Sequence, residues 1–397
     1  MTRRTCRLLI ALTAVLVLVL GACSSSGGDD ESASDTSEAT TTTEAGPAPI
    51  SHVFVINLEN KGFDETFGPD SPADFLNGLT EDGQLLTQYF GTAHASLGNY
   101  LAQISGQPPS ESTQRDCITY SDFAATGTDA DGIVAGDGCV YPAEVQTVAD
   151  QLEEADLTWG GFMEDMGEPC RHPVIGEVDE TQIARADDQY ATRHNPFMYF
   201  HSIIDDEASC QEHVVDLSEL PAALESADTT PNLVYITPDL CSDAHDDPCV
   251  DGRPGGLESA DDFLEEWVPQ ITDSPAFQEG GLLVITFDEA ELVGDAPDSS
   301  ACCDEPTGPN VAQPGINGPG GGRTGAVLLS PRIEAGSTDD TPFNHYGLLC
   351  GIEELFGLDH LGYAAQDGLA CVASDLAPAG AAAGGDADSG ATTTTGG

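Results

Sequence analysis

Leu282-Leu-Val-Ile-Thr-Phe287-Asp288-Glu289 is a run of six uncharged residues, five of them large and apolar, closed by two carboxylates. It does not alternate as a half-exposed strand would, so it predicts a strand buried on both faces, as interior strands of a parallel sheet are. Working outward, similar short runs occur at Val53–Leu58, Leu157–Phe162, Leu233–Thr237 and Ala326–Leu329. Between them, Leu97–Ile104, Val148–Ala155, Ala260–Ile271 and Tyr346–Phe356 carry apolar residues at helical spacing. Strand and helix in alternation predict an α/β fold: one domain with a mostly parallel central sheet and helices on both faces.

In such sheets ligands bind beyond the carboxyl ends of the strands. Those ends carry Glu59 and Asn60 after the first run, Asp239, Asp243 and His245 after the third, and Asp288 and Glu289 after the fourth. Carboxylates converging without nearby Lys or Arg repel one another, and a hard divalent cation is the simplest neutraliser. Each pair could equally serve as loop carboxylates or helix caps, and it is their recurrence after buried strands that points to a metal. Ser96, in Gly91-Thr-Ala-His-Ala-Ser96-Leu-Gly-Asn-Tyr100, opens a helical run. A serine there is commonly only a cap, but free N–H groups at a helix start also attract an anion, which suits attack on a phosphoryl group.

Several ordered segments resemble the bacterial phosphoesterase family of acid phosphatases and phospholipases C, within the alkaline-phosphatase-like superfamily. They are His52–Asn60 with Lys61-Gly-Phe-Asp64, His94–Tyr100 with Ile104-Ser-Gly106, Arg193-His-Asn-Pro-Phe197, Ile236–Asp246, Ile285–Glu289 and Asn344-His-Tyr346. The resemblance implies one divalent ion held by Glu59, Asn60, Asp288, Glu289 and the Ser96 oxygen, with Ser96 as nucleophile. Oxygen ligands favour Ca²⁺, Mg²⁺ or Mn²⁺. His194 and His245 would contact the phosphate or assist the leaving group, with His345, Asp243 and Arg193 as further candidates. Arg193 and Arg323 could instead form structural ion pairs, and His172, His213, Trp159 and Trp267 read as structural. Ala95, Gly98 and Lys61-Gly62 depart from the usual family pattern. The implied activity is hydrolysis of phosphate monoesters through a phosphoseryl intermediate. A phosphodiesterase or phospholipase C acting on lipid headgroups would use the same residues, and a non-catalytic cation-binding surface lipoprotein is the remaining alternative.

The chain has 397 residues, with 11 Lys and Arg against 69 Asp and Glu. Arg3, Arg4 and Arg7 precede the apolar run Leu8–Leu20 and then Gly21-Ala22-Cys23. This predicts a lipoprotein signal peptide over residues 1–22, lipidation of Cys23 and an extracytoplasmic, membrane-tethered location. A product without that leader carries eight basic residues and a net charge of −61. Such a charge excludes electrostatic binding to nucleic acid, which needs clustered Lys and Arg. Residues 23–47 and 377–397, rich in small and polar residues, predict a disordered linker and tail around a phosphoesterase domain at 48–376. Beyond Cys6 and Cys23 the ten remaining cysteines lack zinc spacing and predict disulfides, with Cys241 joined to Cys249 and the adjacent Cys302 and Cys303 taking different partners.

Overall fold

The structure is a computed structural model describing residues 49–378 except Asp295. The leader, Cys23 and most of the linker and tail lie outside the described residues. Eight strands form the main sheet: β1 (His52–Leu58), β2 (Gln84–Leu86), β3 (Trp159–Met163), β4 (Val214–Asp216), β5 (Leu233–Thr237), β6 (Gly281–Phe287), β7 (Ala326–Leu329) and β8 (Ser337–Asp339). Their order is β8-β2-β7-β6-β1-β5-β3-β4. Only β7 runs against the others, antiparallel to β6 and β2. All five expected runs are strands of this sheet, their ends shifted by at most two residues.

The central strands are apolar throughout because the sheet is covered on both sides. Val53, Val55, Tyr235, Leu282 and Val284 face α2 (Ser96–Ser105), α3 (Val148–Glu154) and α5 (His345–Phe356). Phe54, Ile56, Val234, Ile236, Leu283 and Ile285 face α1 (Asp74–Asp82) and α4 (Gly256–Thr272). Ile56 pairs in register with Ile236 on one side and Ile285 on the other, and it is fully buried. Ile56→Ala is therefore expected to cost about 2–5 kcal/mol in urea unfolding, through lost burial and the cavity left behind.

Local signals set the helix ends. Thr147 and Asp150 form a capping box before α3, and Asn344 Oδ1 accepts the Gly347 N–H at the start of α5. Gly357 ends α5 at φ 71°, a left-handed position suited to glycine. By contrast α2 has Ala95 at its N-cap and no side-chain cap of its own.

Among the described residues five disulfides are present: Cys117–Cys139, Cys170–Cys210, Cys241–Cys249, Cys302–Cys303 and Cys350–Cys371. The Cys241–Cys249 pair is as expected. Cys302 and Cys303 bond to each other instead of taking separate partners. The other eight cysteines pair off completely, and left-handed φ values at Cys303 and Asp304 turn the chain sharply at this pair. No helix among the described residues is long and apolar enough to cross a membrane.

Candidate active site

Parallel alignment of β6, β1 and β5 brings their carboxyl ends together. The Glu59 N–H donates to the Asp243 carbonyl at 2.7 Å and the Asp288 N–H to the Leu58 carbonyl at 2.8 Å, so the segments after three strands are tied to one another. Asn60 sits at φ 59°, left-handed for a non-glycine residue, and its backbone N–H donates to Asp288 Oδ1 at 3.0 Å. Backbone held in so sparsely populated a region marks a site where surrounding structure dictates geometry. Ala244, at φ 83°, separates Asp243, which is fully buried, from His245, which reaches the surface.

Ser96 is the first residue of α2, and its hydroxyl does not cap the helix. Ser96 Oγ donates to Glu59 Oε2 at 2.8 Å, and Asn60 Nδ2 donates to the same oxygen at 2.6 Å. Asn99, one turn on, pins the loop before Ser96: its Oδ1 accepts from the Thr92 and Ala93 N–H groups, while its Nδ2 donates to the Ala93 carbonyl and to Glu289 Oε2. Glu289 Oε1 lies 3.1 Å from His94 Nδ1, but His94 donates from Nε2 to the Asp298 carbonyl at 2.8 Å, so Nδ1 has no proton to give that oxygen. Asp116 Oδ1 accepts the Leu97 N–H at 3.1 Å and so supplies the cap that α2 lacks.

Glu59 Oε1 and Asp288 Oδ2 are buried without a hydrogen-bond partner. Among the described residues neither carboxylate forms an ion pair with Lys or Arg. Burial first, then Asp288 in the case of Glu59, Glu289 in the case of Asp288 and Glu59 in the case of Glu289 and Asp243, holds these four carboxyls well above their usual range. Orphaned hard oxygens in a carboxylate cluster are what a divalent cation satisfies, so the donor set fits such an ion.

The histidines divide. His194 is buried, stacked on Tyr100 with ring centroids 5.3 Å apart and planes 3° from parallel, and lies between Asp243 and Glu59. Burial first, then Arg193 and His245, pushes its pKa well below the ordinary value. His245 stands at the opening, its Nδ1 2.8 Å from Asp246 Oδ1 and its Nε2 3.2 Å from Arg193 Nη2. Arg193 is buried and has no carboxylate ion pair among the described residues, whereas Arg323 pairs with Asp64 Oδ1 at 2.7 Å and covers the Phe63 ring. His345 lies behind the site. Its Nε2 faces the Asp288 carbonyl and must carry the proton, leaving Nδ1 to accept from Tyr89 Oη and Gln103 Nε2. Residue pattern alone does not mark Asp116, Asn99, His94 or Tyr100; all but Asp116 lie in the segment around Ser96.

Next to His345, Asn344 donates to Glu305, whose other oxygen is buried and unpartnered. Burial pushes the Glu305 carboxyl up to about 8. A carboxyl raised on folding contributes stability that is complete below its ordinary value of 4.5 and is lost as pH rises through about 8. Glu305→Gln keeps an oxygen for Asn344 and is expected to flatten the fall in melting temperature between pH 4.5 and 8, measured at saturating divalent ion.

The Phosphoesterase family model matches residues 69–359. A phosphate-repressible acid phosphatase of Penicillium chrysogenum is 25% identical over 305 residues, which is 77% of this chain and 58% of that protein. The chain thus spans about three fifths of the length of the fungal acid phosphatases it matches. A phosphatidylinositol-3-phosphatase of Mycobacterium tuberculosis is 23% identical over 314 residues, 79% of each chain. Among solved structures, a Vibrio parahaemolyticus protein of the alkaline phosphatase superfamily superposes with a TM-score of 0.47 at 13% identity, covering 79% of this chain and 68% of that one. Since the family match runs through the elements bearing Ser96, His194, Asp243 and Asp288, the chain belongs to the phosphoesterase family.

Proposed function

We propose that the protein is a metal-dependent phosphomonoesterase that works through a phosphoseryl intermediate on Ser96, in an extracytoplasmic position tethered through Cys23. The observation that carries this reading is the Ser96 hydroxyl, at the start of α2, donating to Glu59 Oε2 beside two orphaned buried carboxylate oxygens. Glu59, Asn60, Ser96 and Asp288 would hold the divalent ion, with Glu289 contributing through Oε1, the oxygen not bonded to Asn99. When bound, such an ion lowers the serine pKa and neutralises phosphate charge.

In the first step the Ser96 Oγ–P bond would form while the bond from phosphorus to the ester oxygen breaks; the serine proton would pass to Glu59 Oε2, and the ester oxygen would take up a proton from solvent at the opening and leave as the alcohol. Arg193, a buried cation with donors to spare, would bind the phosphate oxygens in a protein whose overall field repels anions. His245 at the opening would take a proton from the water that then cleaves phosphoserine, and the proton held by Glu59 would return to the Ser96 oxygen as it leaves phosphorus. Five disulfides support an oxidising, extracytoplasmic compartment.

A second reading, a phosphodiesterase or phospholipase C, is favoured by exposed apolar residues near the opening. Ile118 (53% exposed) is two residues from Asp116, and Ile183 (78%) adjoins Gln182, which bonds both Asp116 and Arg193. The test is hydrolysis of a chromogenic monoester, a matched diester and a vesicle-borne phospholipid by one preparation. Fastest turnover of the monoester is expected; a diester or phospholipid preferred tenfold would overturn the monoesterase reading in favour of the second, and silence on all three would overturn both.

A further inference from the structure

We propose that Arg253 is a positioning residue for hydrolysis of the phosphoserine: it closes the loop that carries His245 and acts through that histidine. The inference rests on reading Ser96 as the nucleophile and His245 as the group that takes the proton from water.

The loop runs from the end of β5 to the start of α4, residues 238–255. Its first limb is packed into the protein, with residues 240–244 buried. Asp239 is fixed at the base: its N–H donates to Glu164 Oε2, and its Oδ1 accepts the N–H groups of Cys241 and Ser242. Past His245 the chain turns outward, and Asp247, Pro248 and Val250 are exposed. This returning limb begins with Asp246, whose Oδ1 lies 2.8 Å from His245 Nδ1. The Arg193 guanidinium has only donors, so His245 Nε2, which faces it, is an acceptor and Nδ1 carries the proton. Asp246 thus sets the tautomer and the angle at which Nε2 meets water, and that angle depends on how the returning limb is held.

Arg253 holds it. Nε donates to Asp251 Oδ2 at 2.8 Å on the returning limb, while Nη1 donates to Ser242 Oγ at 2.9 Å and Nη2 to Asp239 Oδ2 at 3.3 Å on the first. Gln189 Nε2 donates to the same Asp251 oxygen at 3.0 Å and ties this junction to the segment leading to Arg193. One planar guanidinium therefore spans both limbs, a geometry the single ammonium of lysine does not reproduce. Charge adds to this. The loop carries Asp239, Asp243, Asp246, Asp247 and Asp251, and Arg253 is the only Lys or Arg in the sequence between Arg193 and Arg323. Without it these carboxylates repel one another with no cation on the loop. The Cys241–Cys249 disulfide still joins the limbs, so the loop loosens without detaching. A displacement of about 1 Å at a reacting group can cost on the order of 10²-fold in rate.

The test uses the full chain and a labelled chromogenic monoester. Phosphoserine is allowed to form, unlabelled substrate is added, and the decay of the label is followed by acid quench. Arg253→Ala is expected to slow that decay about 10–100-fold while the first equivalent of alcohol is released at the wild-type rate. Phosphoserine then accumulates, and kcat falls while kcat/KM stays within about twofold, a pattern that general loosening of the fold does not produce. Asp251→Asn, which keeps an oxygen for the Arg253 N–H, should slow the decay as well. In a His245→Ala background Arg253→Ala should add less than about twofold, because its route of action is already gone. Decay unchanged in both single variants, or slowed equally with and without His245, overturns this inference and leaves the proposed function standing. A wild-type chain that turns over the monoester without forming phosphoserine overturns both.

Discussion

Ser96→Ala is expected to reduce kcat on a chromogenic phosphate monoester by on the order of 10⁴-fold or more, with the melting temperature nearly unchanged. The asymmetry follows from how Ser96 is held. Its hydroxyl neither caps α2 nor fills a gap in the core; it makes one hydrogen bond, to Glu59 Oε2, which retains the Asn60 amide when the hydroxyl is gone. The loop before Ser96 is fixed by Asn99, and the helix start is capped by Asp116, so neither depends on the deleted atom. What disappears is the oxygen that would accept the phosphoryl group. Acid-quenched wild-type protein mixed with labelled substrate should carry acid-stable phosphate on serine, and the variant should carry none. Turnover within tenfold of wild type without labelling would reject Ser96 as the nucleophile and point to direct attack by water, and labelling that survives the substitution would reject it in favour of another residue.

Much of this architecture is legible in the residues for a specific reason. A strand covered on both faces has no polar side, so Leu282–Phe287 and Val53–Leu58 stand out as unbroken apolar runs whose ends are marked by the first carboxylates. Since parallel strands deliver those ends to one edge, Glu59, Asp243 and Asp288 could be grouped before any contact was visible. Short elements leave no such trace. Gln84–Leu86 and Ser337–Asp339 have three residues each, too few for a period to show, and the Ala124–Thr128 strand is exposed along its whole length.

Asp116 is hidden for a different reason. It reaches α2 from a turn in which Asp116 and Cys117 both take left-handed φ values, and Cys117 is bonded to Cys139, a placement made by tertiary constraint without local pattern. His345 illustrates the reverse. The family resemblance makes it a further candidate at the phosphate, yet the ring is buried behind Asp288, with both nitrogens spent on positioning contacts. Residue type and spacing reveal which groups approach the sheet edge, while depth behind that edge is decided by packing.

Chelation is expected to abolish monoester turnover and to make stability fall as pH rises, and the two effects share one cause. Glu59, Asp243, Asp288 and Glu289 are each held well above the ordinary carboxyl range, by burial first and then by neighbouring carboxylates. Without a cation the folded chain therefore retains protons that the unfolded chain releases. For groups raised in this sense, the stabilisation is complete below the unfolded value near 4 and declines as pH climbs through the folded values. The chelated protein should melt highest near pH 4–5 and progressively lower toward pH 8. A bound ion replaces those protons, so its affinity should increase with pH and the loaded protein should show a much flatter profile. At a free-ion concentration 100 times Kd the added stability is about 2.7 kcal/mol, enough to resolve by calorimetry. Readdition of the ion should restore turnover and melting temperature together. Chelator-resistant turnover, with melting curves superimposable at pH 8 in the presence and absence of ion, would mean that the buried carboxylates keep their protons in the working enzyme, and the metal would have to be abandoned.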